Sequence, residues 1–193
     1  MAGRAVLLLA AGVTLGGGLP AAAGMAAQAA PTLHRAVAAP AVNSSKTNSE
    51  FNGVSADSST DAWAVGRYQH DPPSDVYGLL TLQWDGTAWS QTPSTSPVGS
   101  QLSSVSVSAT AGPLAPGEYL TSHHRVDTVI LGWDGTEWSR QTTPSPAHED
   151  DLNGVSVVSP TSAWAVGSAA AGGTSVITHT LILGWNGTAW SKA

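Results

Sequence analysis

The sequence predicts an all-β fold: three four-stranded antiparallel propeller-type blades, forming a partial or oligomer-completed β-propeller. A Trp-Asp/Asn-Gly-Thr-x-Trp stretch occurs three times, beginning at Trp84, Trp133 and Trp185, and these copies hold six of the eight tryptophans. Val54, Val105 and Val155 recur with the same spacing of about fifty residues, so two independent anchors agree on one period. After residue 50 no segment sustains the 3.6-residue apolar rhythm of a helix.

Composition narrows the function classes. Charged residues make up 10% of the 193, and the formal net charge is −6. Seven Lys and Arg in an acidic chain are a poor match for nucleic acid, whose phosphates need clustered cations. There is no cysteine, which excludes disulfides, thiolate metal sites and a cysteine nucleophile.

Residues 1–29 read as a signal peptide. Arg4 precedes an uncharged run from Ala5 to Leu19, and small residues then offer cleavage after Ala23 or after Ala29. Gly16-Gly17-Gly18 and Pro20 interrupt the run, so no stable membrane span is expected after cleavage. The product is then secreted and extracellular. Residues 30–50, with Pro31, Pro40 and a polar run from Asn43 to Ser49, read as a flexible linker.

Residues 51–193 divide into repeats at about 51–101, 102–151 and 152–193. Each repeat parses into four short strands. In the third these are expected at Asn153 to Val158, Ala163 to Ser168, His179 to Trp185 and Thr188 to Lys192. Nine residues after the anchoring valine, the first and third repeats read Trp63-Ala64-Val65-Gly66 and Trp164-Ala165-Val166-Gly167. The middle one reads Leu114-Ala115-Pro116-Gly117. Pro116 removes a ladder donor, so that strand is expected to be distorted or short.

Asp85-Gly86, Asp134-Gly135 and Asn186-Gly187 predict two-residue type I′ hairpins, in which both residues take positive φ. Pairing across such a turn places Leu131, Trp133, Thr136 and Trp138 on one face. Trp63, Trp84, Trp89, Trp133, Trp138, Trp164, Trp185 and Trp190 are accordingly expected in the repeat core, with Trp63 and Trp164 the firmest. Ile130 and Ile182 make the third strand apolar on its other face too, as between stacked sheets.

The Trp-Ala-Val-Gly strand, the apolar strand ending in Trp-Asp-Gly and the following Trp-Ser resemble the kelch-like β-propeller repeats of secreted actinobacterial proteins. The resemblance spans about residues 51–193, although Gly66 and Gly167 stand alone where kelch has a double glycine. It implies a propeller fold and favours ligand binding or scaffolding, and it brings no catalytic residues. An open set of three blades leaves two terminal faces bare. A truncated product, a homodimer completing the propeller, or unusual capping would each account for three blades where propellers have four to eight.

Chemistry is sparse. Tryptophans could form a sugar platform, but their regular placement suits a repeated core. His123, His124 and Asp127 could ligate a metal, yet adjacent strand residues point to opposite faces. His148-Glu149-Asp150-Asp151 is the densest acidic cluster and reads as a solvated loop. Asp61, Asp85, Asp134 and Glu137 are candidate catalytic carboxylates by residue type only, since glycosidases need two held across the scissile bond. No nucleophile elbow, zinc-protease or phosphate-loop pattern occurs. No cofactor or metal site is expected, and no residue pattern supports catalysis.

The sequence therefore points to a secreted non-catalytic propeller module. It would bind a surface glycan or protein partner, such as a polysaccharide or cell-surface protein, through blade-connecting loops. Those loops are Gln69 to Asp75, Gly117 to Arg125 and Ser168 to Thr174, with His70, Tyr119, His123 and Arg125 as contact residues. The alternatives are a fragment of a propeller glycoside hydrolase or lyase lacking its catalytic blades, and an inert remnant of a longer propeller protein.

Overall fold

The computed structural model describes residues 48–69, 77–97, 99–171 and 177–193. The expected signal peptide, the linker up to residue 47, His70 and most of the 69–75 loop lie outside the described residues. Every described element is a strand: β1 (Ser49–Ser58), β2 (Asp61–Gln69), β3 (Tyr77–Trp84), β4 (Trp89–Gln91), β5 (Ser94–Thr95), β6 (Ser100–Leu102), β7 (Leu114–Leu120), β8 (Val126–Trp133), β9 (Trp138–Gln141), β10 (Glu149–Ser159), β11 (Ser162–Ala170), β12 (Thr178–Trp185) and β13 (Trp190–Lys192). The end of the expected linker, Ser49 and Glu50, already belongs to β1.

The all-β class holds, but three discrete blades do not. The first repeat forms a four-stranded antiparallel sheet, β1-β2-β3-β4. The second and third merge into one nine-stranded sheet that curls as a half-barrel. The join has a local cause. The segment after β9 lies along the start of β8, where Thr128 N donates to Ser145 Oγ at 3.0 Å and Val126 N to His148 O at 3.2 Å. That docking brings Glu149 into a parallel bridge with Val126. In addition β5, from the connection after the first repeat, pairs in parallel with β9. The propeller module and the two propeller-derived alternatives, read from separate blades and their connecting loops, are overturned with the blades.

Pro116 acts as its chemistry requires. β7 has 7 residues against 9 in each of β2 and β11. The strand beside it breaks as well: β6 stops at Leu102, and beyond it only Ser106 bridges to Leu114. In the first and third repeats, Val65 and Val166 pair with Gly53 and Gly154 at that register. Pro116 has no N–H to offer the neighbouring strand, and only its carbonyl is used, accepting from Ser103 N at 2.9 Å.

The hairpin turns differ from the expected type. Trp84 pairs with Trp89, Trp133 with Trp138 and Trp185 with Trp190, so each loop has four residues. Only the glycines take positive φ, +95° at Gly86, +102° at Gly135 and +98° at Gly187. The residue before each glycine serves as a side-chain cap. Asp134 Oδ1 accepts from Thr136 N at 2.8 Å, Thr136 Oγ1 at 2.7 Å and Glu137 N at 2.9 Å. Asn186 Oδ1 accepts from Thr188 N at 2.9 Å, Thr188 Oγ1 at 2.8 Å and Ala189 N at 2.9 Å. One carbonyl-type oxygen suffices, which is why Asn replaces Asp there. The register moves by two residues, so alternation leaves Leu131, Trp133 and Trp138 on one face.

Two apolar clusters fill the spaces between repeats. The first joins Trp63 and Val65 to Leu102, Val105, Ala115, Val129, Leu131 and Trp138. The second joins Leu114 and Ile130 to Leu152, Ala165, Leu181, Leu183 and Trp190. The second is the first moved on by one repeat.

Candidate functional site: two open sheet faces and a polar seam

Because each repeat covers the one before it, the tryptophans do not share one environment. Trp63 is 1% exposed. Its ring centroid lies 5.0 Å from that of Trp133 and 5.2 Å from that of Trp138, the latter edge-on. Trp138 and Trp190 are also buried, and each indole N–H reaches back across a seam, Trp138 to Thr92 Oγ1 at 3.1 Å and Trp190 to Gln141 Oε1 at 2.7 Å. Trp84, Trp89, Trp133 and Trp185 are partly buried.

Trp164 corrects the core assignment. It occupies the position of Trp63, yet it is 49% exposed, because no described repeat lies on its far side. It covers Gly184, whose Cβ position lies 3.3 Å from the indole. Val166 and Ile182, paired across β11 and β12, are exposed beside it. We call this the trailing face.

The opposite side of the first repeat is the leading face. There Phe51 is 44% and Val54 71% exposed, above Ala64, Leu82 and Trp89, and together they line a groove of about 380 Å³. The positions equivalent to Val54 in the later repeats, Val105 and Val155, join the inter-repeat clusters. Bare end faces were legible in the repeat count. The residues on them were not, because nothing in the Trp-Ala-Val-Gly strand itself distinguishes Trp63 from Trp164.

A polar seam runs beside the apolar one. Arg67 Nε donates to Glu50 Oε1 at 2.5 Å, and Arg67 also bonds Gln101 of β6. Gln101 bonds Glu118 in turn. Burial, reinforced by the negative charge of Asp151, holds the Glu118 carboxyl above its usual range against the Gln101 hydrogen bond and Arg67. Asp151 accepts from Ser168 Oγ and from Asn153 Nδ2.

Asp150 departs from the solvated loop expected for the acidic cluster. It lies at the start of β10 and is fully buried. Its Oδ2 accepts from Ala147 N at 2.9 Å, while its Oδ1 has no partner among the described residues. Burial raises its pKa, with nearby Asp127 adding to the effect and Arg125 opposing it.

The remaining sequence candidates fall as follows. Tyr119 lies in β7 rather than in a loop, under the Arg140 guanidinium at 4.3 Å from the ring centroid. Arg125 Nη2 donates to Ala147 O at 2.5 Å and lies 3.3 Å from Asp127. It therefore ties β8 to the segment before β10. His123 and His124 sit in the turn before β8, not in a strand, with His124 at φ +57°. Among the described residues no group of three or more His, Asp or Glu is arranged to hold a metal ion. Asp61 accepts from Gln83 Nε2 at 3.3 Å, and Asp85 and Asp134 are occupied by their turns. Glu137 contributes its backbone N–H to one of those turns.

Among the described residues no helix is long and apolar enough to cross a membrane. No protein-family model matches the chain, and no curated protein matches it. The kelch-like resemblance rests on strand and turn motifs alone.

Proposed function

We propose that this is an extracellular association domain, exported by its N-terminal segment and acting through its two open sheet faces. The observation that carries the reading is Trp164, 49% exposed within a patch of Val166 and Ile182 at a position that is core in the first repeat. Clustered large apolar side chains on a soluble surface mark contact sites. The faces suit a protein partner better than a polysaccharide. A sugar platform is built from flat rings, whereas the exposed side chains here are largely aliphatic, Val54, Val166 and Ile182 beside Trp164 and Phe51.

The test is hydroxyl-radical footprinting of the protein in the producing culture and of the purified protein at nanomolar concentration. Val54, Trp164, Val166 and Ile182 should react in dilute solution and be protected in the culture. Equal reactivity in both settings contradicts an association role. Export is checked separately by N-terminal sequencing of the extracellular protein, which should begin at Gly24 or Ala30. A protein still starting at Met1 inside the cell overturns that part.

A further inference from the structure

Resting on that reading, we propose that the partner is a second copy of this chain, docked head to tail. Trp164 of one copy would seat against the Trp84–Trp89 pair of the next. Such docking would continue the seams already inside the molecule. At the first seam Trp63 packs tilted against Trp133 and edge-on against Trp138, whose centroids are 5.9 Å apart. The equivalent pair on the leading face, Trp84 and Trp89, has the same 5.9 Å separation and meets no third tryptophan among the described residues. Trp164 is the equivalent of Trp63, and no repeat among the described residues covers it. Each end therefore carries the half of the seam that the other lacks.

Hydrogen bonding repeats in the same way. Val107 N donates to Ser55 Oγ at 3.2 Å across the first seam, and Val157 N to Ser106 Oγ at 3.1 Å across the second. The next members of these two series are Ala56 on the leading face and the exposed Ser156 on the trailing face. Gly53 allows the backbones to meet at the first seam, since a Cβ there would lie 2.8 Å from Ser104 Cα. Its equivalent, Gly154, has only Val166 nearby, at 3.3 Å from the Cβ position. None of Phe51, Val54, Trp89, Trp164, Val166 and Ile182 carries a charge, so these apolar contacts themselves desolvate no ion. The contact is heterologous: the two surfaces differ, and copies add in one direction until a ring closes or a filament grows.

The experiment pairs two substitutions at exposed positions, Val54→Asp on the leading face and Trp164→Asp on the trailing face. Mass is followed by light scattering from low to high micromolar concentration, and far-UV circular dichroism confirms that each variant is folded. A variant that fails to fold is replaced by Val54→Ser or Trp164→Ser. The parent should exceed monomer mass increasingly with concentration, each variant alone should stay monomeric, and an equimolar mixture should form a heterodimer. A monomeric parent overturns the proposal. So does either variant associating alone, which indicates like-to-like contact, or a mixture that stays monomeric. Protection in culture with a monomeric purified parent would reject self-docking yet leave the association role standing. No protection in culture rejects the role itself.

Discussion

Removing the same side chain from the same repeat position should have very different costs. Trp63 is 1% exposed and Trp164 49%, each following the anchoring valine of its repeat by nine residues. For Trp63→Ala, a buried Trp-to-Ala change costs about 3–5 kcal/mol. Loss of two aromatic contacts places it toward the upper half of that range, each such contact being worth about 0.5–1.5 kcal/mol. For Trp164→Ala, measured dilute enough that the chain is monomeric, the loss is limited to packing on one sheet surface, about 1 kcal/mol. The expected gap is thus about 3 kcal/mol. Urea unfolding at sub-micromolar concentration measures it as a difference in midpoint at constant slope. A gap below about 1 kcal/mol would mean that the two positions have similar surroundings, and the account of the open trailing face would fail. Trp63→Phe refines the test. The Trp63 indole N–H is buried without an acceptor among the described residues, and relieving it recovers about 1–3 kcal/mol. Phe should therefore cost far less than Ala.

Further predictions concern turns and buried acids. Gly135→Ala should cost about 1–2 kcal/mol from its φ of +102° alone, since a Cβ there meets nothing within 4 Å. Gly187→Ala should cost more, because its Cβ would also lie 2.9 Å from Thr161 Cγ2; equal thermal shifts would contradict this geometry. The Thr87 side chain and the backbone N–H groups of Ala88 and Thr87 hold Asp85 below the usual carboxylate range; the backbone of Glu137 and then Thr136 do the same for Asp134. Their contribution is present above the unfolded value of about 3.9 and is lost as pH falls through the lower folded value. Asp85→Asn with Asp134→Asn should therefore flatten the acid limb of the stability curve, as Asn186 already does at the third turn. An unchanged limb would remove these caps from the explanation. Asp150 runs the other way. Its folded pKa is raised by burial, so ionisation is destabilising above that value, whereas no such cost exists below the unfolded value. Asp150→Asn should stabilise the chain at neutral pH, with the gain disappearing below about pH 4. A loss at neutral pH would show that the charged form is needed by Arg125.

Much of the local structure was legible because it depends on short-range chemistry. Period, turns and apolar alternation place the hairpins, and a register error of two residues keeps Leu131, Trp133 and Trp138 on one face while moving Thr136 into the turn. Pro116 predicted its own disturbance for the same reason. The sheet merger was not legible. It follows from Ser145 and His148 lying along β8, and a Thr-Ser-Pro connection carries no periodic signal for that docking. Asp150 was missed because four consecutive polar residues suggest solvent, whereas its burial comes from the tertiary path of the chain. Trp164 is the clearest case, since burial depends on what lies opposite and the identical Trp-Ala-Val-Gly strand occurs in both surroundings.

The complementarity of the two end faces can be tested most directly by a disulfide, because the chain has no cysteine of its own. Ser55→Cys with Val107→Cys calibrates the chemistry within one chain, at the seam where Val107 N meets Ser55 Oγ at 3.2 Å. Ala56→Cys with Ser156→Cys places the same two positions on the open faces. After mild oxidation the first pair should close internally and leave a monomer. The second pair should give covalent multimers on a non-reducing gel, abolished by adding Trp164→Asp. Internal closure of the first pair with only monomer from the second would contradict the account.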